Sequence, residues 1–304
     1  MNGKNQKWIQ KYRCKKCNYS FINKDRKTPK IKTDKIFDDW LNEWYSSRQL
    51  WLQKDKDKFE ILKYIRTKLD NNLINQIDLF FDNVKYIMID WTWISKDICL
   101  IIYYDYINKK VLRFWFYDWE KYEYIKKDLE VLKNQFKYEI DCFVVDWGKQ
   151  IKKAIKKVYT NSKIQRCLTH IQRQIKTNIS SNPKSDCWKD LQKIITFKNF
   201  EKKENFIKLF NDWQIKHFDF LKEKSTNWNN SWYTHRKLRA SRSHIKNAIP
   251  YMFYYLNDWN IKKSSNDLEW YNRVLNEQIC NHKWLRNDRL ISFISLWIYN
   301  RNLR

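Results

Sequence analysis

Two aspartates close apolar runs in this chain. Val84-Lys85-Tyr86-Ile87-Met88-Ile89 leads into Asp90, and Cys142-Phe143-Val144-Val145 leads into Asp146. Each run reads as a buried strand that ends by presenting a carboxylate. Open α/β sheets place their chemistry outside the carboxyl ends of strands, so two acids delivered in this way can converge on one site. Two carboxylates with room for a third are what oxygen-seeking Mg²⁺ requires. Taken singly, either acid is equally well a strand-end cap or a turn residue.

Glu269 is the third acid to weigh. It lies in Ser264-Ser265-Asn266-Asp267-Leu268-Glu269-Trp270-Tyr271-Asn272, which opens a helix running through Leu275 and Ile279. Asn266 reads as the N-cap and Glu269 as N3, a capping-box arrangement that explains the glutamate structurally. A metal-binding carboxylate is the competing reading, and spacing does not choose between them.

Other constellations suit metals or phosphates. Cys167 and His170 are three apart, so on a helix they share a face. They form either a packed, uncharged pair or a structural or metal-supporting pair beside the site; with only two ligand types present, structural support is favoured. Arg166 and Arg173 flank them and could contact phosphates. Cys14 and Cys17 form a C-x-x-C beside Tyr12, Arg13 and Phe21, which suits half of a zinc ribbon. Tetrahedral Zn²⁺ needs four ligands, so this Zn²⁺ site is incomplete or the two cysteines are reduced and unligated. Further on, His235, Arg236, Lys237 and Arg239 follow Trp232 and Tyr233. Aromatics beside cations can stack on unpaired bases and hold backbone, or simply form the solvated start of a helix.

Composition narrows the partners. The 304 residues carry 61 Lys+Arg against 34 Asp+Glu, a net charge of +27 spread along the chain. At this imbalance a polyanion is the expected partner, and nucleic acid leads. No apolar run approaches the ~18 residues of a membrane span, and no signal peptide precedes the basic start. Seven cysteines, an odd number, suit a reducing cytosol better than a disulfide framework.

Glycine occurs twice, at Gly3 and Gly148, where ordinary usage of about 7% would give about 20. Tryptophan occurs 17 times. Several tryptophans, among them Trp44, Trp119 and Trp147, fall where a turn favours glycine. The surplus of one residue type matches the deficit of the other. Many of these positions are therefore expected to be UGA codons that the source organism reads as glycine. A genuinely Trp-rich chain from an AT-rich genome is the alternative, and the codons decide it.

The elements that must position these groups follow in order. Residues 1–32 form a partial zinc-ribbon arm. Residues 33–75 read as short helices around a Ser-capped turn carrying Arg48 and Gln49, the order of a helix-turn-helix or of plain helix packing. Strands are expected at 85–94, 97–106 and 110–117, a helix at about 120–135, a strand at 139–145, a helix through Ile151, Ile155 and Val158, and a short strand from Ser162 to Gln165. Hairpins first, then a helix and a strand carrying the second acid, is the order of an RNase H-like core. That core's first part spans 84–180. A helical insertion follows at 181–260, and 261–304 returns with the helix that carries Glu269. The fold class is thus α/β: a mixed sheet, a large helical insertion and a small helical N-terminal region.

Taken as a set, the motifs resemble the Mutator-like bacterial insertion-sequence transposases, of DDE type. The matching stretches are Ile89-Asp90-Trp91-Thr92-Trp93, Val145-Asp146-Trp147-Gly148-Lys149, Gln165-Arg166-Cys167-Leu168-Thr169-His170, Trp232-Tyr233-Thr234-His235-Arg236, Ser265-Asn266-Asp267-Leu268-Glu269-Trp270 and His282-Lys283-Trp284-Leu285. The family pattern has glycine where this chain has Trp91, Trp147, Trp270 and Trp284, a second reason to suspect recoding. Aromatics fit the pattern at Trp93, Trp213, Trp232 and Trp297. The resemblance implies that Asp90, Asp146 and Glu269 are catalytic acids holding two Mg²⁺ (or Mn²⁺) ions. It also implies DNA as partner, at element ends and target, with a homo-oligomeric cytoplasmic enzyme working at the bacterial nucleoid. A catalytically decayed or domesticated DNA-binding protein is the alternative. A nuclease of the same fold acting on RNA–DNA hybrids is a third reading.

Overall fold

A computed structural model describes residues 12–13, 20–21, 35–42, 49, 58–71, 81–146, 148–179 and 183–303. Two short strands, β1 (Tyr12–Arg13) and β2 (Ser20–Phe21), pair antiparallel. Cys14 and Cys17 between them lie outside the described residues, as does Arg48. Helices α1 (Lys35–Asn42) and α2 (Lys58–Asn71) come next.

The apolar runs around the two aspartates belong to one five-stranded sheet. Its strands are β3 (Tyr86–Ser95), β4 (Ile98–Asp105), β5 (Lys110–Tyr117), β6 (Cys142–Val145) and β7 (Lys163–Arg166), in the spatial order β5-β4-β3-β6-β7. β3, β4 and β5 pair antiparallel, whereas β3–β6 and β6–β7 are parallel. Parallel neighbours need crossover helices, and these are α3 (Tyr122–Asn134) and α4 (Lys149–Val158).

Side chains alternate across a strand, so each strand feeds two layers. Ile87, Ile89, Phe143 and Val145 face one way, packing with Ile125, Leu129 and Leu132 of α3 and Ile151 and Ile155 of α4. Met88, Val144, Leu100 and Ile102 face the other way. That second layer is covered by the two C-terminal helices, α11 (Asn266–Asn281) and α12 (Asn287–Leu303). The helices α1 and α2 join the same layer. Phe37, Trp40, Leu41, Ile61, Ile65 and Leu69 are buried in a core with Leu290 and Phe293 of α12. Arg289 adds two hydrogen bonds to the Asp70 carboxylate, at 2.7 and 2.8 Å. The described N-terminal helices thus bury their apolar faces against the rest of the fold. Asn302 closes the free edge of β5: its amide donates to Val111 O (2.7 Å), and its Oδ1 accepts from Val111 N–H (2.9 Å). This satisfies backbone groups that an edge strand would otherwise present.

Between β7 and α11 lies a separate helical core. It is built from α5 (Leu168–Asn178), α6 (Asp186–Ile194), α7 (Phe197–Phe200), α8 (Lys203–Lys216), α9 (Phe218–Lys222) and α10 (Arg236–Ala248). Its centre includes Ile171, Leu191, Phe206, Phe210, Trp213 and Ile245. A small antiparallel hairpin, β8 (Lys224–Thr226) and β9 (Ser231–Tyr233), projects before α10.

The tryptophans sort by burial. Trp40, Trp213 and Trp297 are core residues, and Trp213 Nε1 donates to Cys187 O at 2.9 Å. By contrast, Trp228 and Trp259 are 103% and 91% exposed, and Trp119, Trp270 and Trp284 are also exposed. Positive φ occurs at Asn83, Lys109 and Lys137, and at no described tryptophan. Trp232, where an aromatic fits the family pattern, is exposed as well, so exposure is shared by the suspect tryptophans without being confined to them. Among the described residues, no helix is long and apolar enough to cross a membrane.

Candidate active site

Strand register brings the first two acids together. The parallel ladder ends with Ile89 opposite Val145 and Val145 opposite Arg166. The next residues along the three strands are Asp90, Asp146 and Cys167. Parallel neighbours lie about 4.8 Å apart, so these three positions form a row across the sheet. β3 runs on to Ser95 against β4, as the expected strand at 85–94 implies, so Asp90 does not end its strand. It stands instead where the parallel part of the sheet stops.

Asp90 is held from both sides. Its Oδ1 accepts from the Trp91 N–H at 2.9 Å, and its Oδ2 accepts from the Asn272 amide at 2.8 Å. Burial pushes its carboxyl up to about 6. The Trp91 N–H, His170 and Asn272 oppose that rise, and Asp146 adds to it.

Glu269 sits in the first turn of α11. The expected capping box does not form. The N-cap is Ser265, no side chain caps the helix, and the Ser265 carbonyl accepts from the Leu268 and Glu269 N–H groups. The Glu269 carboxylate turns instead toward α5. Its Oε1 lies 3.5 Å from His170 Nδ1, and its Oε2 accepts from Arg173 Nη2 at 3.3 Å. The other nitrogen of the same ring, His170 Nε2, lies 3.5 Å from Asp146 Oδ2. One imidazole therefore spans the second and third acids. Burial pulls the His170 pKa down, but the nearby Cys167 thiol and the Asp146 and Glu269 carboxylates outweigh it and raise it to about 9. Asp90 and Glu269 in turn line one open cavity of about 680 Å³ with Trp91, Asn272 and Arg273.

Cys167 is the N-cap of α5, and its thiol is fully buried. Its Sγ accepts from the Ser265 N–H at 3.3 Å. Burial alone would raise this thiol. The nearby His170 ring with its charge, and the Ser265 N–H, bring it below its usual range.

The basic residues divide into two groups. Arg166 is fully buried and turned to His244, to which its guanidinium hydrogen-bonds, with Gln174 Oε1 at 3.5 Å. His235 pairs with Glu223 Oε2 at 2.7 Å and stacks on Phe220, with ring centroids 3.7 Å apart. Arg239 donates to Leu221 O at 2.8 Å and lies 3.5 Å over the Tyr233 ring. These three brace the insertion and its hairpin. Arg236 and Lys237 remain exposed, as are Trp232 and Tyr233 a few residues before them, and Arg173 is exposed with its guanidinium on Glu269.

Two residues went unread in the sequence. Asn272 lies three residues beyond Glu269, on the same face of α11, and that spacing was the available signal. Glu120 precedes α3, where no periodic pattern marks it. Burial, then Asp146 and Asp90, pushes its carboxyl up to about 7, and its Oε1 is buried with no hydrogen-bond partner.

Comparison with protein-family models matches residues 106–288 to one described as Transposase, Mutator family. The chain belongs to that family. The matched span includes Asp146, Cys167, His170 and Glu269, and begins after Asp90. A search of curated proteins found no match.

Proposed function

We propose that this transposase cuts and rejoins DNA strands by metal-assisted phosphoryl transfer on an RNase H-like core, with Asp90, Asp146 and Glu269 as the catalytic acids. One observation carries the reading: the His170 ring touches Asp146 on one side and Glu269 on the other, while Asp90 occupies the register position next to Asp146. Three acids, from β3, from the residue after β6 and from α11, thereby share one patch.

The donor set fits hard divalent cations. All three side chains offer carboxylate oxygens, Glu269 Oε1 is buried with no hydrogen-bond partner, and burial holds Asp90 toward its protonated form. A cation would relieve each of these costs. When bound there by Asp90, Asp146 and Glu269, Mg²⁺ or Mn²⁺ supplies activation of water or a DNA 3′-hydroxyl and stabilisation of the leaving oxygen. The protein's own groups orient this set. The Asn272 amide fixes Asp90, and Arg173 fixes Glu269. The net charge of +27 holds DNA, with Arg236, Lys237, Trp232 and Tyr233 as an exposed strip for backbone and bases. Cleavage of a terminal-repeat oligonucleotide tests the acids. Asp90→Asn, Asp146→Asn and Glu269→Gln should each abolish Mg²⁺-dependent nicking and leave DNA binding intact. Full nicking by any one variant removes that residue from the set.

The exposed tryptophans bear on this activity. Trp91 and Trp270 each adjoin a proposed acid, and Trp91 lines the cavity. Glycine at both positions opens the approach for metal and DNA. Indole at both favours the second reading, a DNA-binding protein that no longer cleaves. We infer glycine at Trp91, Trp119, Trp147, Trp228, Trp259, Trp270 and Trp284, from the compositional deficit and, for the described ones other than Trp91, from their exposure. UGG codons at these positions would end that inference.

A further inference from the structure

Cys167, His170 and Glu269 converge in a way the strand-transfer chemistry does not require. Their ligand atoms all lie within 4.8 Å of one another. His170 Nδ1 and Glu269 Oε1 are buried atoms with no hydrogen-bond partner, and they face each other at 3.5 Å. Two ligands each about 2.1 Å from a tetrahedral Zn²⁺ stand about 3.4 Å apart. The far sides of the ligands are also arranged for a metal. His170 Nε2 faces the Asp146 carboxylate, the outer partner that metal-bound imidazoles usually have. Arg173 holds Glu269 Oε2 and leaves Oε1 turned inward. The Ser265 N–H points at Cys167 Sγ, as expected for a sulfur carrying negative charge.

We propose that Cys167 Sγ, His170 Nδ1 and Glu269 Oε1 form a second metal site, for a borderline-soft divalent ion of the zinc type. Thiolate and imidazole select such an ion over Mg²⁺. Three protein ligands leave a fourth position open. On the reading of Glu269 as a catalytic acid, the two sites share one carboxylate. An ion on Cys167 and His170 holds Glu269 away from Asp90 and Asp146, so zinc-type ions inhibit and Mg²⁺ competes.

Co²⁺ titration of the full chain, stripped of metal, tests the site without DNA. Cys14→Ser and Cys17→Ser silence the N-terminal C-x-x-C. In that background one equivalent of Co²⁺ should give a thiolate-to-metal charge-transfer band. Adding Cys167→Ser should abolish the band, and adding Glu269→Gln should weaken Co²⁺ binding by about tenfold or more while keeping it. Should Cys167→Ser fail to fold by circular dichroism, His170→Gln is read instead and should weaken binding by a similar factor. A folded background protein with no band overturns the proposal, as does a band that survives Cys167→Ser. A band without any Mg²⁺-dependent nicking leaves this site standing and sinks the strand-transfer reading alone.

Discussion

Gly148 makes room for Glu120: a Cβ on Gly148 would stand 2.7 Å from Glu120 Oε1 and 3.2 Å from Ile151 Cδ1. Gly148 is the N-cap of α4, two residues past Asp146, so Glu120 is packed against the very turn that carries the second acid. Gly148→Ala should push the carboxylate aside. Because the crowded atom ends a flexible side chain, stability should change by no more than about 1 kcal/mol. The Mg²⁺ concentration that half-saturates nicking should rise severalfold, and Glu120→Gln should move it in the same direction. Superimposable Mg²⁺ curves for both variants and the parent would show that Glu120 plays no part in metal binding.

Asp128 anchors α3 to the sheet. It is fully buried, accepting from Arg113 Nε at 2.7 Å, Tyr117 OH at 2.9 Å and Tyr103 OH at 3.2 Å. Removing one partner of a buried pair leaves the other charge uncompensated, at a cost of about 3–5 kcal/mol. Asp128→Ala should lower urea stability by that amount. A loss under about 1 kcal/mol would mean that solvent reaches Arg113.

His282 makes the fold acid-sensitive. It is buried between Trp40 and Phe293, with ring centroids at 4.6 and 4.8 Å, and burial lowers its pKa to about 4. The unfolded chain takes up this proton near 6.5, the folded chain only near 4. The contribution is therefore complete above pH 6.5 and falls away between 6.5 and 4, by about 3 kcal/mol. His244, lowered to about 4 by burial and Arg166, acts in the same sense. Asp90 and Glu120, with raised carboxyls, oppose both as pH changes between about 4 and 7. His282→Phe should thus flatten the acid limb of stability relative to the parent. Parallel urea midpoints for the two proteins from pH 7.5 to 5 would rule this out.

Trp91→Gly and Trp270→Gly, singly and together, should increase nicking if glycine is the natural residue at these positions. Trp213→Gly should do the reverse through unfolding, since that indole fills the insertion core and bonds the Cys187 carbonyl. Equal or lower nicking by the Trp91 and Trp270 variants would favour the non-cleaving reading.

Much of the sheet was legible in the sequence because its signals are local. Near-continuous apolar runs marked β3, β4 and β5, and apolar spacing at Ile151, Ile155 and Val158 marked α4. Glu269 was ambiguous for a physical reason: a capping glutamate and a ligand glutamate occupy the same helical position. Only the tertiary placement of His170 and Arg173 separates them. Arg166 showed the opposite failing. A basic residue in a basic chain reads as a phosphate contact, and nothing nearby in sequence announces His244, 78 positions away. The three acids come from β3, from the residue after β6 and from α11, and their grouping rests on register and packing that no single segment encodes.

The helical excursion between β7 and α11 begins and ends at one point. Leu168 N–H bonds the Lys263 carbonyl at 2.9 Å, and Ser265 N–H bonds Cys167 Sγ at 3.3 Å. Chain that leaves and re-enters through a stapled doorway can lengthen, shorten or be exchanged with small entropic penalty, because closure cost grows only with the logarithm of loop length. The fold is thus organised so that the part of the excursion beyond α5 can diverge while α5 and the acids it touches keep their places.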